Sequence, residues 1–174
     1  QRNLRIVRPS QPIDAVGTHR DTDVGESPYG FTVWMPLVDF PKEASVEIYP
    51  KSHRIGKDKL VPTHYEDERV TQGSPENRIG FFYKPMTFNL DVLEPAIRPH
   101  VPYGSFMIFS TTMLHGGAPN ISDLTRWSVD MNLENLQSPF DWFHHGDSPK
   151  FMPLCLSTTT QIAKLYDPSL SKLW

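Results

Sequence analysis

The sequence predicts a mainly β protein, folded as a β-sandwich or jelly roll. Three observations point that way. Apolar, β-branched and aromatic residues gather in short runs bounded by turn formers, as in Phe31 to Val38 and Ser105 to Ser110. The 17 prolines are scattered along 174 residues, which suits short strands and turns better than long helices. Finally, the run from Thr125 to Leu133 alternates strictly. Trp127, Val129, Met131 and Leu133 are apolar; Arg126, Ser128, Asp130 and Asn132 are polar. A period of two gives a strand one face of each kind.

In chain order, Asn3 to Val7 reads as a short strand and Pro9 to Pro12 as a turn. The segment around Thr18-His19-Arg20-Asp21 is expected to be extended, which puts His19 and Asp21 on one side and Arg20 on the other. Gly25 to Gly30 is turn-rich. Phe31 to Val38 is a buried strand, and Pro36 within it predicts an edge or a bulge. Asp39 to Ala44 is a loop, Ser45 to Tyr49 a strand, and Pro50-Lys51-Ser52-His53 a turn into a polar loop. Leu60 to Arg78 lacks periodicity and reads as a long excursion. Ile79 to Tyr83, Thr87 to Leu93 and Arg98 to Val101 are further short strands, before a Pro102-Tyr103-Gly104 turn. Ser105 to Ser110 then delivers Thr111 to His115, and a polar connector, Asn120 to Leu124, leads to the alternating strand. Ser138 to Pro153 is rich in aromatics, and Ser157 to Leu165 is expected to form a short terminal helix. No repeat, low-complexity tract or linker divides the chain, so residues 1–174 are expected to be a single domain.

The bulk properties narrow the function. A net charge of −3 argues against nucleic acid or an anionic membrane as the main partner and leaves a small molecule. Cys155, the single cysteine, excludes an intrachain disulfide and fits a reducing compartment. No apolar run is long enough to cross a bilayer and no signal peptide opens the chain, so a cytoplasmic protein is expected. Gln1 is not an initiator methionine, and the natural chain is expected to begin further upstream.

Three scattered residues make a chemical set. An imidazole and a carboxylate two residues apart, His19 and Asp21, can occupy adjacent positions on one metal ion. His115, after an apolar strand, supplies a second imidazole. Two histidines and one carboxylate on one face of an octahedral ion leave three positions open, the arrangement used with non-haem Fe(II) and O₂. Those positions suit a bidentate 2-oxo acid and then dioxygen. The far carboxylate of 2-oxoglutarate needs a cation, and Arg126, with the Ser128 hydroxyl on the same strand face, supplies a clamp. This requires the polar face of that strand to turn inward, although a half-solvated strand usually turns it to water.

These pieces resemble the phytanoyl-CoA dioxygenase (PhyH) family of Fe(II)- and 2-oxoglutarate-dependent oxygenases. The matching stretches are His19-Arg20-Asp21, the Val33-Trp34 strand, Tyr49-Pro50-Lys51-Ser52-His53, Tyr103-Gly104-Ser105, and His115-Gly116-Gly117-Ala118-Pro119-Asn120 followed by Arg126. The resemblance implies a double-stranded β-helix, a cupin-like jelly-roll core with a few short peripheral helices. It implies that His19, Asp21 and His115 bind iron, that Arg126 anchors 2-oxoglutarate, and that Trp34 lines the cosubstrate pocket. The Lys51-Ser52-His53 turn matches a structural signature, so His53 is not assigned to iron. Tyr29, Phe31 and Asn132 are candidate substrate contacts. Because Asp21 stands where halogenating relatives have a small residue, the resemblance implies hydroxylation of a C–H bond or a related oxidation, with release of succinate and CO₂. Two features depart from the family. Much of the region that precedes the His-x-Asp segment in relatives is absent here. Gly117 stands where relatives can carry a small hydroxyl residue, whose hydrogen bond Ser128 is placed to replace.

Two other classes stay open. One is a jelly-roll binding protein without turnover; the other is a cupin-type metalloenzyme that does not use 2-oxoglutarate. The intact ligand set and Arg126 argue against the first, and Arg126 discriminates against the second, whose chemistry has no need of it.

Overall fold

The computed structural model describes residues 2–24, 26–60, 74, 93–134, 162, 165 and 166. Six strands lie among them: β1 (Arg2–Val7), β2 (Phe31–Pro36), β3 (Val46–Ile48), β4 (Met107–Ser110), β5 (His115–Gly117) and β6 (Arg126–Leu133). One antiparallel sheet has the order β1-β6-β2-β4; β3 and β5 form a second. Single bridges widen the second sheet on both sides, His19 to His115 and Ile97 to Ile48. Helical conformation among the described residues is limited to five 3-10 turns and to Ile162, Leu165 and Tyr166. The last three fall in or next to the expected terminal helix. None of these helices is long and apolar enough to cross a membrane.

The alternation along β6 decides how the larger sheet faces. Arg126 and Ser128 are buried, while Trp127 between them is 41% exposed. The polar face therefore points inward and the apolar face outward. Register carries the pattern across the sheet. Trp34 pairs with Asp130 and Thr32 with Asn132 on one side of β6; Arg5 pairs with Ser128 and Val7 with Arg126 on the other. The inner face thus holds arginines, carboxylates and hydroxyls among a few large rings.

The apolar core fills the space between the sheets. Trp34 and Phe109 come from the larger sheet and Val46 and Ile48 from the smaller one, with Phe40, Ala44 and Val101 closing the cluster. Trp34 meets Phe40 edge-on, with ring centroids 5.9 Å apart. Each such side chain contributes roughly 1.5–3 kcal/mol on burial. A second cluster, Tyr49, Leu60 and Leu114, lies under the turn that follows β3.

Three expectations require correction. Pro36 is not on an edge, since β2 lies between β6 and β4. It is the last residue of the strand, and β4 pairs only as far as Trp34, so the missing N–H interrupts no ladder to β4. Arg98 to Val101 is not a strand. Pro99 has no donor, the contact there is the lone Ile97–Ile48 bridge, and the Arg98 guanidinium binds Glu47 and the Glu43 carbonyl. The His19–Asp21 segment is not continuously extended either: His19 makes a single bridge, and Asp21 opens the 3-10 turn Asp21–Val24. The expected strands Ile79 to Tyr83 and Thr87 to Leu93, nearly all of the Leu60 to Arg78 excursion, and the Ser138 to Pro153 stretch lie outside the described residues.

The connector before β6 is ordered by one side chain. Asn120 is fully buried, and its Nδ2 donates to the carbonyls of Val7 (3.0 Å) and Leu124 (2.8 Å). Its Oδ1 accepts from the backbone N and the hydroxyl of Ser122. Asn120→Ala should therefore lower the unfolding free energy by about 2–4 kcal/mol, because buried carbonyls lose their donors. Urea denaturation checks this, and a loss under about 0.5 kcal/mol would contradict it.

Candidate metal centre

The ligand cluster is built from backbone pairing. His19 N donates to the His115 carbonyl at 2.9 Å, and His115 N donates back to the His19 carbonyl at 3.0 Å. This reciprocal pair places the two imidazoles side by side, with centroids 4.6 Å apart. Two glycines permit the approach. A Cβ on Gly116 would stand 2.9 Å from Thr18 Cα, and one on Gly117 would stand 2.9 Å from Val16 N. The small hydroxyl residue that relatives can carry at the Gly117 place does not fit against this backbone.

Each ring has a fixed tautomer. His19 Nδ1 lies 2.8 Å from the Gly17 carbonyl and His115 Nδ1 3.0 Å from the Met113 carbonyl. A carbonyl only accepts, so each ring presents an Nδ1–H to its carbonyl and turns Nε2 toward Asp21. Asp21 Oδ1 is 3.5 Å from His19 Nε2 and 3.6 Å from His115 Nε2. Those gaps are too long for hydrogen bonds. Atoms bound side by side to one ion at 2.0–2.2 Å stand about 3 Å apart, so the three need only a small contraction to share it. The ligand atoms of His19, Asp21 and His115 all lie within 4.8 Å of one another.

The charge states suit a cation. Burial works against the Asp21 carboxylate, but His19 and His115 beside it and the Thr32 hydroxyl outweigh burial, so its pKa lies below the ordinary value. Burial, aided by His19, pushes the His115 pKa down, which keeps this ring neutral and its lone pair free. Phe109 shields His115 with an edge contact at 4.7 Å.

Thr32 was not legible as a functional residue. Its hydroxyl, buried on β2, donates to Asp21 Oδ2 at 2.5 Å. That bond occupies one carboxylate oxygen and leaves the other toward the histidines. The available signal was period: Thr32 is two residues from Trp34 and shares its inward face.

The same cavity is lined by His19, Asp21, His115, Thr32, Trp34, Phe109, Arg126 and Asn132. Arg126 is buried, with Nη1 donating to the Ala44 carbonyl at 2.8 Å and the guanidinium 5.7 Å from the Trp34 ring centroid. Burial, with help from Arg5, lowers its pKa to about 10, so it is still charged at neutral pH. Among the described residues its Nε has no hydrogen-bond partner, nor has the Oγ of Ser128, which is fully buried two residues along the same face. Ser128 does not itself line the cavity. Buried polar groups are rarely left unpaired, and the Arg126 guanidinium, a cationic fork in the cavity wall, suits an anion.

Of the candidate substrate contacts, Asn132 lines the cavity, whereas Tyr29 and Phe31 do not. Tyr29 is 57% exposed in a turn, and Phe31, one residue from Thr32, belongs to the outer face. Sequence reading also missed Glu26, Arg5 and Asp130 in the lining. Arg5 Nε binds Asp130 Oδ1 at 3.1 Å across β1 and β6. Their even spacing from Val7 and Arg126 was the usable signal. His64, His144, His145 and Cys155 lie outside the described residues.

Two antiparallel sheets packed over a shared core, with a His-Asp-His cluster and a buried arginine lining one cavity, fit the jelly-roll fold of the Fe/2-oxoglutarate oxygenases. The chain belongs to the phytanoyl-CoA dioxygenase (PhyH) family, whose model matches residues 3–128. Solved structures with the same fold include a non-haem monooxygenase, ThoJ (17% identity, TM-score 0.51, covering 75% of this chain and 44% of that one). EvdO2 from Micromonospora carbonacea var. aurantiaca is similar at 17% identity and TM-score 0.50, over 81% of this chain and 57% of that one. The epimerase SnoN, solved with Fe³⁺, alpha-ketoglutarate and nogalamycin RO, matches at 17% identity and TM-score 0.50, over 92% and 62%. The chain thus spans about half of the length of these proteins.

Thr32→Val should weaken divalent-metal binding about 10- to 100-fold with little change in the metal-free fold, since outer partners of ligands carry effects of that size. Mn(II) titration followed by electron paramagnetic resonance measures it; an unchanged affinity would refute the role. The metal-free protein should also show a pH signature. With the folded His115 pKa below 6.5, the unfolded chain binds that proton more readily. The stabilising contribution is therefore complete above about pH 6.5 and is lost as pH falls below it. Asp21 acts in the same sense in a lower window, below its ordinary value of 3.8. Urea midpoints between pH 8 and 5 should fall for the wild type and less for His115→Gln; equal slopes would contradict the assignment.

Proposed function

We propose that this cavity is the active site of an Fe(II)- and 2-oxoglutarate-dependent dioxygenase that hydroxylates a C–H bond of a small-molecule metabolite, releasing succinate and CO₂. His19, Asp21 and His115 hold the iron, and Arg126 anchors the cosubstrate. The supporting observation is that a complete ligand cluster and a buried, incompletely bonded guanidinium line one cavity. Bound iron supplies the dioxygen and one-electron chemistry that side chains lack.

The residues of this chain do the positioning. The carbonyls of Gly17 and Met113 accept from the Nδ1 side of the two rings, which turns both Nε2 atoms toward Asp21. Asp21 brings one negative charge toward the cation, and Thr32 keeps one of its oxygens occupied. Arg126 receives the distal carboxylate of 2-oxoglutarate. Its Nε gains the partner it lacks, which favours an anionic ligand over a neutral one. Trp34 walls the guanidinium and excludes water from the ion pair, which strengthens it. Asn132, on the same face of β6 and opposite Thr32, is placed to contact substrate near the metal. The Asp21 carboxylate fills the place where a halide would bind in halogenating relatives, which favours hydroxylation.

Anaerobic titration with Fe(II) and 2-oxoglutarate tests this reading through a weak visible charge-transfer band. The wild type should show the band. Arg126→Ala should bind 2-oxoglutarate about 30-fold or more weakly, as expected when a buried charge pair loses one member. His115→Ala should lose metal and band together. No band in the wild type, with Arg126→Ala binding 2-oxoglutarate normally, would leave a non-catalytic binding protein or a metalloenzyme of another class.

A further inference from the structure

Outside the cavity, one short turn touches the chain beside all three ligands. Arg20 lies between His19 and Asp21 and turns away from the metal site. Its Nη2 donates to the Ser52 carbonyl at 2.8 Å and to the Ile55 carbonyl at 2.7 Å. On the other side, Leu114 directly precedes His115, and its backbone N donates to Ser52 Oγ at 2.8 Å. The Leu114 carbonyl accepts from Tyr49 N at 3.1 Å, so both backbone groups of Leu114 are held by the Tyr49–Ser52 stretch. Ser52 and Leu114 have no exposed surface, and Arg20 is buried. Lys51 adopts a left-handed backbone with φ of 60°, which turns the chain so that Ser52 opens the 3-10 turn Ser52–Arg54.

We propose that Ser52 is a positioning residue that clamps the His19–Asp21 loop to the His115 strand and so sets the spacing of the metal centre. The need for it follows from the pairing. The direct contact between the two ligand segments is short and discontinuous: the His19–His115 pair is flanked by one bond from Gly117 N to the Val16 carbonyl and one from Thr22 N to the Thr111 carbonyl, with no continuous ladder. Ser52 joins the segments from behind with two different atoms. Its carbonyl takes the loop through Arg20, and its hydroxyl takes the strand through Leu114. Alanine keeps the first link and loses the second. The His53 side chain plays no part in either link, which separates this role from metal ligation. The inference rests on the metal-centre reading but not on the cosubstrate.

The test is Mn(II) affinity, read by electron paramagnetic resonance without 2-oxoglutarate, on variants shown to be folded by circular dichroism. Ser52→Ala should raise the Mn(II) Kd about 10- to 100-fold. Arg20→Gln should act in the same direction. The double variant should be barely worse than the weaker-binding single one, because both changes release the same turn. Ser52→Thr, which retains the hydroxyl acceptor, should recover most of the affinity. Glu94→Gln removes the exposed Lys51–Glu94 ion pair on the same turn and should leave the Kd within about twofold. A folded Ser52→Ala with the wild-type Kd overturns the proposal; if that variant does not fold, a wild-type Kd in Arg20→Gln does so. A wild type that binds no Mn(II) overturns both this proposal and the metal centre. A wild type that binds Mn(II) but not 2-oxoglutarate overturns the oxygenase reading and leaves the clamp standing.

Discussion

The site depends on one close backbone approach, the reciprocal hydrogen bonds between His19 and His115. These residues are far apart in sequence, and neither has a place at the metal centre without the other. The approach is possible because β5 reads His115-Gly116-Gly117. Side chains at the two glycines would collide with the backbone from Ala15 to Thr18. The glycines thus serve the metal centre through what they omit. Once the bridge forms, the Gly17 and Met113 carbonyls orient the rings and Thr32 orients Asp21. Three independent elements converge on a few ångströms of space.

A second constraint is the inverted face of the larger sheet. An antiparallel sheet usually turns its apolar side to the core. Here Arg5, Arg126, Ser128, Asp130 and Thr32 point inward, while Leu4, Ile6 and Trp127 are substantially exposed. Burying Arg126 costs desolvation energy, which lowers its pKa to about 10, and a single carbonyl bond and the Trp34 ring only partly offset the cost. That unfavourable local balance marks the cavity as a place where an anion improves the energy. Functional groups held at some expense to the fold are expected where binding matters.

Much of this was legible in the sequence. The strict alternation of Arg126 to Leu133 predicts both the strand and a polar face, and His19, Asp21, His115 and Arg126, singled out jointly by their chemistry and the family resemblance, line one cavity. The β1, β2 and β4 strands also follow from short apolar runs. What escaped reading has identifiable causes. The bend at Asp21 comes from tertiary pairing at His19, which no local propensity encodes. Pro36 reads as an edge signal because a sequence does not reveal how far β4 extends beside it. Thr32 is an unremarkable strand residue until Asp21 is placed beside it. Ser52 appears within a turn motif, but its hydroxyl acquires meaning only when Leu114 arrives from 62 residues away.

The central claim is that both imidazoles bind one ion through Nε2 while Nδ1–H donates to a backbone carbonyl. Proton nuclear magnetic resonance of the Co(II)-loaded protein in water tests it directly. Two strongly shifted exchangeable resonances should appear, one each from His19 and His115, and both should vanish in deuterium oxide. A spectrum with neither, or with signals that persist in His19→Gln and His115→Gln, would show that these side chains do not share the metal.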